Sequence, residues 1–220
     1  MKIGVLNPGE APTPGLAEDL RDLIGHEHEI IEVGVLDDLS SDDLRGLAAR
    51  PGEEVTVAQR ADGGEIHVAS ARLFPLGQVV VTKLEGFGAE VIFPACAGDL
   101  PEYSCQVRYV NTFRLLRSVI DVLLPQGRLG LLMPSKLQRE KHERWYANPH
   151  RQLVIAGASP LSLAQISEAA DALAAARPDI VVMTCFLNDR GQRSVVRRIV
   201  GCPVLLSRSV VGRVVSDLAG

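Results

Sequence analysis

The sequence lacks the patterns by which most metal and cofactor enzymes are read. Its four cysteines show no closely spaced metal pattern. None of the five histidines (His26, His28, His67, His142 and His150) has a two-histidine helical spacing with a nearby carboxylate. There is no G-x-S-x-G, no phosphate-loop lysine motif and no dinucleotide fingerprint. No metal and no organic cofactor is therefore expected. No apolar run reaches the roughly 18 residues of a membrane span. The segment Met1–Leu6 is too short for a secretory signal and reads as a first strand.

Charge of neither sign dominates. Lysine plus arginine number 23 against 27 aspartates and glutamates, a net charge of −4. That balance leaves no electrostatic footprint for nucleic acid or an anionic membrane. Arg193, Arg197 and Arg198 gather on one helix face and read as a solvated face. With nothing that marks export, the thiols are expected to stay reduced in the cytoplasm.

What is present is alternation. The 220 residues suffice for one large or two small α/β domains. Strands are expected over Lys2–Leu6, Glu29–Val33, Val91–Pro94, Arg128–Met133, Gln152–Ala156, Ile180–Thr184 and Pro203–Leu206. Runs such as Val91-Ile92-Phe93 and Ile180-Val181-Val182-Met183 are apolar throughout, as in a parallel sheet covered on both faces. Helices are expected over Gly15–Ile24, Leu73–Gly88, Val107–Leu124, Lys136–Ala147, Ser162–Arg177, Asp189–Val200 and Ser207–Leu218. Thr13-Pro14 reads as an N-cap before a first-turn proline, and Ser135 and Ser207 stand where caps are expected.

Residues 54–58 and 65–68 flank Asp62-Gly63-Gly64 and predict a small inserted β-hairpin. The break Leu124-Pro125-Gln126-Gly127 separates two halves of similar plan. The expected fold is two similar α/β domains with mostly parallel sheets. The first spans residues 1–124 with the C-terminal helix 207–220, and the second spans 127–206.

Open α/β sheets bind ligands beyond the carboxyl ends of their strands. Cys96 follows the strand ending at Pro94, and Cys185 follows the strand 180–184 in the second half. A thiol there, facing helix N-termini, can be reactive as the thiolate. Two thiols on opposite faces of one carbon can racemise it, one removing a proton and the other supplying one. A lone cysteine after an apolar strand is as readily a small core residue; two at equivalent places raise the catalytic reading. Cys105 and Cys202 lack this symmetry and read as structural. Asn7, Gly98, Thr184 and Ser207 are the candidates for holding the substrate, its carboxylate on backbone N–H groups and hydroxyls at helix starts.

Several segments together resemble the AroM family. Gly34–Ser40 is similar to its G-A-L-D-G-L-S, and Cys96–Pro101 to its C-T-G-E-F-P. Gln138 with Trp145, Ser159-Pro160 and Pro203–Ser209 match further pieces in order. The sequence departs at the first loop, which lacks an arginine, and at Thr184–Asn188, where the family reads D-C-M-G-Y.

The resemblance implies an Asp/Glu racemase-like fold with a final helix returning to the first domain. It also implies one cysteine per domain flanking the substrate carbon, at the positions of Cys96 and Cys185. The expected activity is a cofactor-independent racemase or epimerase, an isomerase of the amino-acid or hydroxy-acid type. The alternatives are a one-cysteine decarboxylase or cis–trans isomerase, or a catalytically silent small-molecule-binding or regulatory protein. The expected partner is a small carboxylate-bearing molecule, with a homodimer allowed; neither nucleic acid nor membrane is expected. Cys96 and Cys185 are expected to face each other across one interdomain cleft, with Cys202 pointing away.

Overall fold

A computed structural model describes residues 1–219. By compactness the chain divides into two units: Met1–Phe113 together with the chain from Gly212 on, and Arg114–Val211.

The first unit opens with β1 (Lys2–Asn7), α1 (Leu16–Ile24), β2 (Glu29–Gly34) and α2 (Ser41–Leu47). The hairpin β3 (Val55–Gln59) and β4 (Glu65–Ala69) follows. Next come α3 (Ser70–Leu73), a 3₁₀ turn (Phe74–Leu76), α4 (Gly77–Gly86), β5 (Val91–Pro94), β6 (Arg108–Tyr109) and the start of α5 (Thr112–Leu123), whose residues from Arg114 on belong to the second unit. Its main sheet is parallel in the order β2-β1-β5-β6. Leu6, Val33, Leu84 and Ile92 are buried in its core with helix α4.

The second unit continues with β7 (Gly127–Met133), a 3₁₀ turn (Lys136–Gln138), α6 (Arg139–Tyr146), β8 (Arg151–Gly157), α7 (Leu163–Ala175), β9 (Ile180–Met183), α8 (Arg190–Val200), β10 (Val204–Leu206) and the start of α9 (Ser207–Ala219), whose residues from Gly212 on belong to the first unit. Its sheet is parallel in the order β10-β9-β7-β8. Numbered within each unit, both sheets read 2-1-3-4. Leu132, Val181, Met183 and Leu206 pack with Ile166, Leu173 and Val196 of α7 and α8. Continuous apolar strands thus lie between helices, as their composition requires.

Several elements differ from the sequence expectation. The helix expected from Val107 begins at Thr112, because Arg108–Tyr109 pairs in parallel with Val91–Ile92 at the sheet edge. The helix expected over Leu73–Gly88 is broken into α3, a 3₁₀ turn and α4 at Pro75, which has no N–H for the helical ladder. Residues 136–138 form a 3₁₀ turn before α6, and α2, absent from the expected set, is closed by a Ser40–Asp43 capping box.

Thr13 does not cap α1. Its hydroxyl meets Asn7, and the helix starts after Gly15 in the left-handed region (φ 68°). Ser135 caps as expected by accepting from Leu137 N–H. The Ser207 hydroxyl has no partner among the described residues, since β10 runs directly into α9. No helix among the described residues is long and apolar enough to cross a membrane.

Candidate functional site

The register of the two sheets puts the cysteines at equivalent places. Leu6 pairs with Pro94 at the end of β5, and Leu132 pairs with Met183 at the end of β9. In each unit the next N–H after the strand returns to its neighbour: Ala95 to Leu6 O at 2.7 Å, Thr184 to Leu132 O at 3.0 Å. Cys96 and Cys185 are the residues that follow. Both stand where the strand order reverses, between the first and third strands of a doubly wound sheet, which is where such sheets bind ligands.

The correspondence extends one strand further. Ile92 pairs with Tyr109 and Met183 with Leu206, so Thr112 at the start of α5 is the counterpart of Ser207 at the start of α9. Thr112 spends its hydroxyl on the carbonyl of Cys96. Ser207, fully buried, keeps its own unused among the described residues.

Cys96 is half-buried, and its Sγ accepts the N–H of Gly98 at 3.3 Å. A backbone N–H aimed at sulfur is a donor of the kind that stabilises a charged acceptor. Gly98 therefore acts on the thiol itself. Beside this loop stand two tyrosines, edge to face at 6.1 Å between centroids. Burial and the neighbouring Cys96 push the Tyr103 phenol well above its ordinary range, and burial does the same to Tyr109. The Tyr103 hydroxyl donates to Phe74 O at 2.7 Å, and that of Tyr109 is buried without a partner among the described residues.

Asn7, at the end of β1, is 4% exposed. Its Nδ2 faces Glu10 O at 3.0 Å, Thr13 Oγ1 at 2.9 Å and Glu32 Oε1 at 2.8 Å, while its Oδ1 accepts from Gly9 N–H at 2.7 Å. The amide thus shapes the loop after β1. Burial raises the Glu32 carboxyl, against the opposing bonds from Thr13 and Asn7.

In the second unit Cys185 is half-buried. Buried side chains from other elements hold its neighbours on both sides. Thr184 Oγ1 lies 3.2 Å from His142 Nε2. The Phe186 carbonyl accepts Arg208 Nε at 2.8 Å and Nη2 of the same guanidinium. Arg208, in the first turn of α9, is among the largest fully buried side chains.

Cys105 packs against the first core and Cys202 against the second. Burial raises both thiols. None of the four cysteines is in a disulfide. Among the described residues no group of three or more His, Cys, Asp or Glu side chains could hold a metal ion.

The AroM protein family matches residues 3–219, nearly the whole chain. The chain belongs to the AroM family. No curated protein sequence matches it. Among solved structures, this AroM-family chain is similar to allantoin racemase from Klebsiella pneumoniae, with a TM-score of 0.63 at 14% identity, covering 99% of this chain and 87% of that one. It is also similar to Picrophilus torridus aspartate racemase (TM-score 0.61, 14% identity, 100% and 94% covered). Arylmalonate decarboxylase is a third (TM-score 0.59, 15% identity, 100% and 92% covered). At such identities the likeness shows the fold: two similar parallel α/β halves of the Asp/Glu racemase type.

Sequence reasoning missed Thr112, Tyr103, Tyr109, His142 and Arg208, which act through contacts distant in sequence. Only Arg208 left a trace, in the Ser207-Arg208-Ser209 match to the family. An open cavity of about 630 Å³ lies at the other end of the second sheet, lined by Arg128, His150, Arg151, Arg177 and Asp179 among others. Three of its charged groups already serve the fold. Arg128 donates to Ala176 O beyond α7 and to Gln152, Arg151 pairs with Asp121, and Asp179 accepts from Arg128 N–H at 2.7 Å.

Proposed function

We propose that this AroM-family protein is a cofactor-independent racemase or epimerase acting at a carbon beside a carboxylate. The observation that carries the reading is the equivalence of Cys96 and Cys185, each two residues past the end of the third strand of its sheet. One sulfur, as thiolate, takes the α-proton from one face of the carbon. The other, as thiol, delivers a proton to the opposite face. After one turnover the charges have changed places, and the enzyme is set for the reverse direction. The reading requires both sulfurs to reach the same carbon, with Cys202 taking no part.

The carboxylate is assigned to the N-terminus of α9, where the Ser207 hydroxyl has no partner among the described residues and a helix's first N–H groups lack intrahelical acceptors. Gly98 supports Cys96, Thr184 borders Cys185, and Asn7 holds the loop after β1. The chemistry needs reduced thiols, which fits a cytoplasmic setting. The likeness to arylmalonate decarboxylase favours a second reading, in which one thiol protonates a carbanion left by decarboxylation.

Separate Cys96→Ser and Cys185→Ser replacements distinguish the two, with interconversion of enantiomers followed by chiral chromatography. The two-thiol reading expects each replacement to abolish interconversion. Full activity in either variant contradicts it.

A further inference from the structure

Thr184 follows β9, between Met183 and Cys185, and its hydroxyl lies near two groups. Leu132 O is 3.3 Å away and His142 Nε2 is 3.2 Å away. His142 reaches this place from α6, 3% exposed, its ring 5.4 Å from that of Trp145 and stacked on Tyr146 at 6.1 Å. Its other nitrogen, Nδ1, is 2.9 Å from the carbonyl of Gln138.

A carbonyl only accepts, so Nδ1 carries a hydrogen. Burial, aided by Lys141, pushes the imidazole down to about 4, so it is neutral at physiological pH. A neutral imidazole with hydrogen on Nδ1 has a lone pair on Nε2. Both neighbours of the Thr184 oxygen are then acceptors, and the single hydroxyl hydrogen must go to one of them.

We propose that His142 is a positioning residue that commits the Thr184 hydroxyl hydrogen to the protein interior, so that any ligand group reaching Thr184 meets lone pairs only. A carboxylate oxygen is thereby rejected at Thr184. A donor (ammonium, hydroxyl or amide N–H) is accepted. On the neighbouring strand, one position past the Leu206–Met183 pair as Thr184 is, Ser207 has the opposite character: its buried hydroxyl has no partner among the described residues. The two hydroxyls sort the ends of a ligand: carboxylate towards Ser207, donor towards Thr184. Resting on the racemase reading of this rim, the inference narrows the substrate to acids that carry an amino, hydroxyl or amide N–H donor on the carbon beside the carboxylate.

The test is the ¹⁵N spectrum of histidine-labelled protein, which needs no turnover. At pH 7 the His142 ring is expected as the neutral Nδ1–H form, with an Nε2 resonance shifted by an accepted hydrogen bond. Thr184→Val should move that resonance to the unbonded position, and Thr184→Ser should restore it. An Nε2–H ring, an imidazolium at pH 7, or an Nε2 resonance indifferent to Thr184→Val overturns the proposal.

The ligand arm compares lactate with propionate as protectors of Cys185 against iodoacetamide, followed by peptide mass spectrometry. Lactate is expected to protect at least several-fold better, and Thr184→Val to erase that advantage. Equal protection by propionate overturns the acceptor role. If neither acid protects, the failure belongs to the racemase reading, and the imidazole spectrum alone decides the role of His142.

Discussion

Asn7 is satisfied at both ends of its amide by the loop it organises and by Glu32. Removing that amide would leave buried donors and acceptors without partners, which costs on the order of 1–3 kcal/mol. Asn7→Ala is therefore expected to lower the urea midpoint by that amount, while Glu32→Gln, whose Oε1 can accept the same two N–H groups, stays within about 1 kcal/mol of wild type. Equal losses in the two variants would contradict this account of the loop.

His142 makes a prediction with a defined sign. Its folded value, about 4, lies below its ordinary 6.5, so the unfolded chain binds the proton first as pH falls. The stability contributed by the neutral buried ring is complete above 6.5 and lost as pH drops towards 4. At 1.36 kcal/mol per unit the loss amounts to about 3 kcal/mol. The groups that face the ring are Gln138 O, Lys141, Trp145, Tyr146 and the Thr184 hydroxyl. Urea midpoints measured from pH 7 to pH 4 should fall more steeply for wild type than for His142→Gln by about that amount. Parallel curves would show that this ring is not the buried neutral group described.

At the scale of elements, the β3–β4 hairpin is a brace. Its strands pair antiparallel from Val55↔Ala69 to Gln59↔Glu65. The Gln59 carbonyl accepts Glu10 N–H at 2.8 Å, joining the hairpin to the loop after β1. The two backbones approach so closely that a Cβ on Gly9 would lie 2.3 Å from Gln59 O. Gly9→Ala must push them apart, at a cost on the order of 1–3 kcal/mol, with faster amide exchange over residues 55–69. Gly46, exposed in α2 with nothing within 4 Å of a Cβ, is the control. There Ala is expected to stabilise by up to about 1 kcal/mol. If Gly9→Ala were as benign as Gly46→Ala, the brace would be dispensable.

Legibility also differed by element. The long apolar strands and the hairpin could be read because their periodicity and turn residues are local signals. Residues 108–109 could not, because a two-residue edge strand owes its existence to Val91 and Ile92, far away in sequence. Pro75 is a local signal, but a proline in the first turn of a helix is also tolerated, so the sequence alone does not place the break.

For the whole molecule, the family and the two-halved fold were legible from short motifs in order, and the structure supplies the reason for the repeat. Both sheets have strand order 2-1-3-4 with a cysteine at the same offset. Of the candidate site, the placement of Cys96, Cys185 and Ser207 was legible, because each follows a strand end. Its supporting contacts were not. Asn7 and Gly98 turn out to serve the loop and the Cys96 sulfur, and His142 and Arg208 reach the Cys185 segment from helices 43 and 23 positions away in sequence (185 − 142 and 208 − 185). Such pairings have no local signature.

The central claim is proton exchange at a carbon beside a carboxylate by two thiols without a cofactor. It is tested most directly by incubating the protein in heavy water with a panel of 2-amino and 2-hydroxy acids and following the α-position by NMR and mass spectrometry. The account predicts deuterium at that position of at least one member, with loss of optical purity, and no incorporation with Cys96→Ser or Cys185→Ser. Folded protein that exchanges no member of the panel, or exchange that survives both replacements, would contradict it.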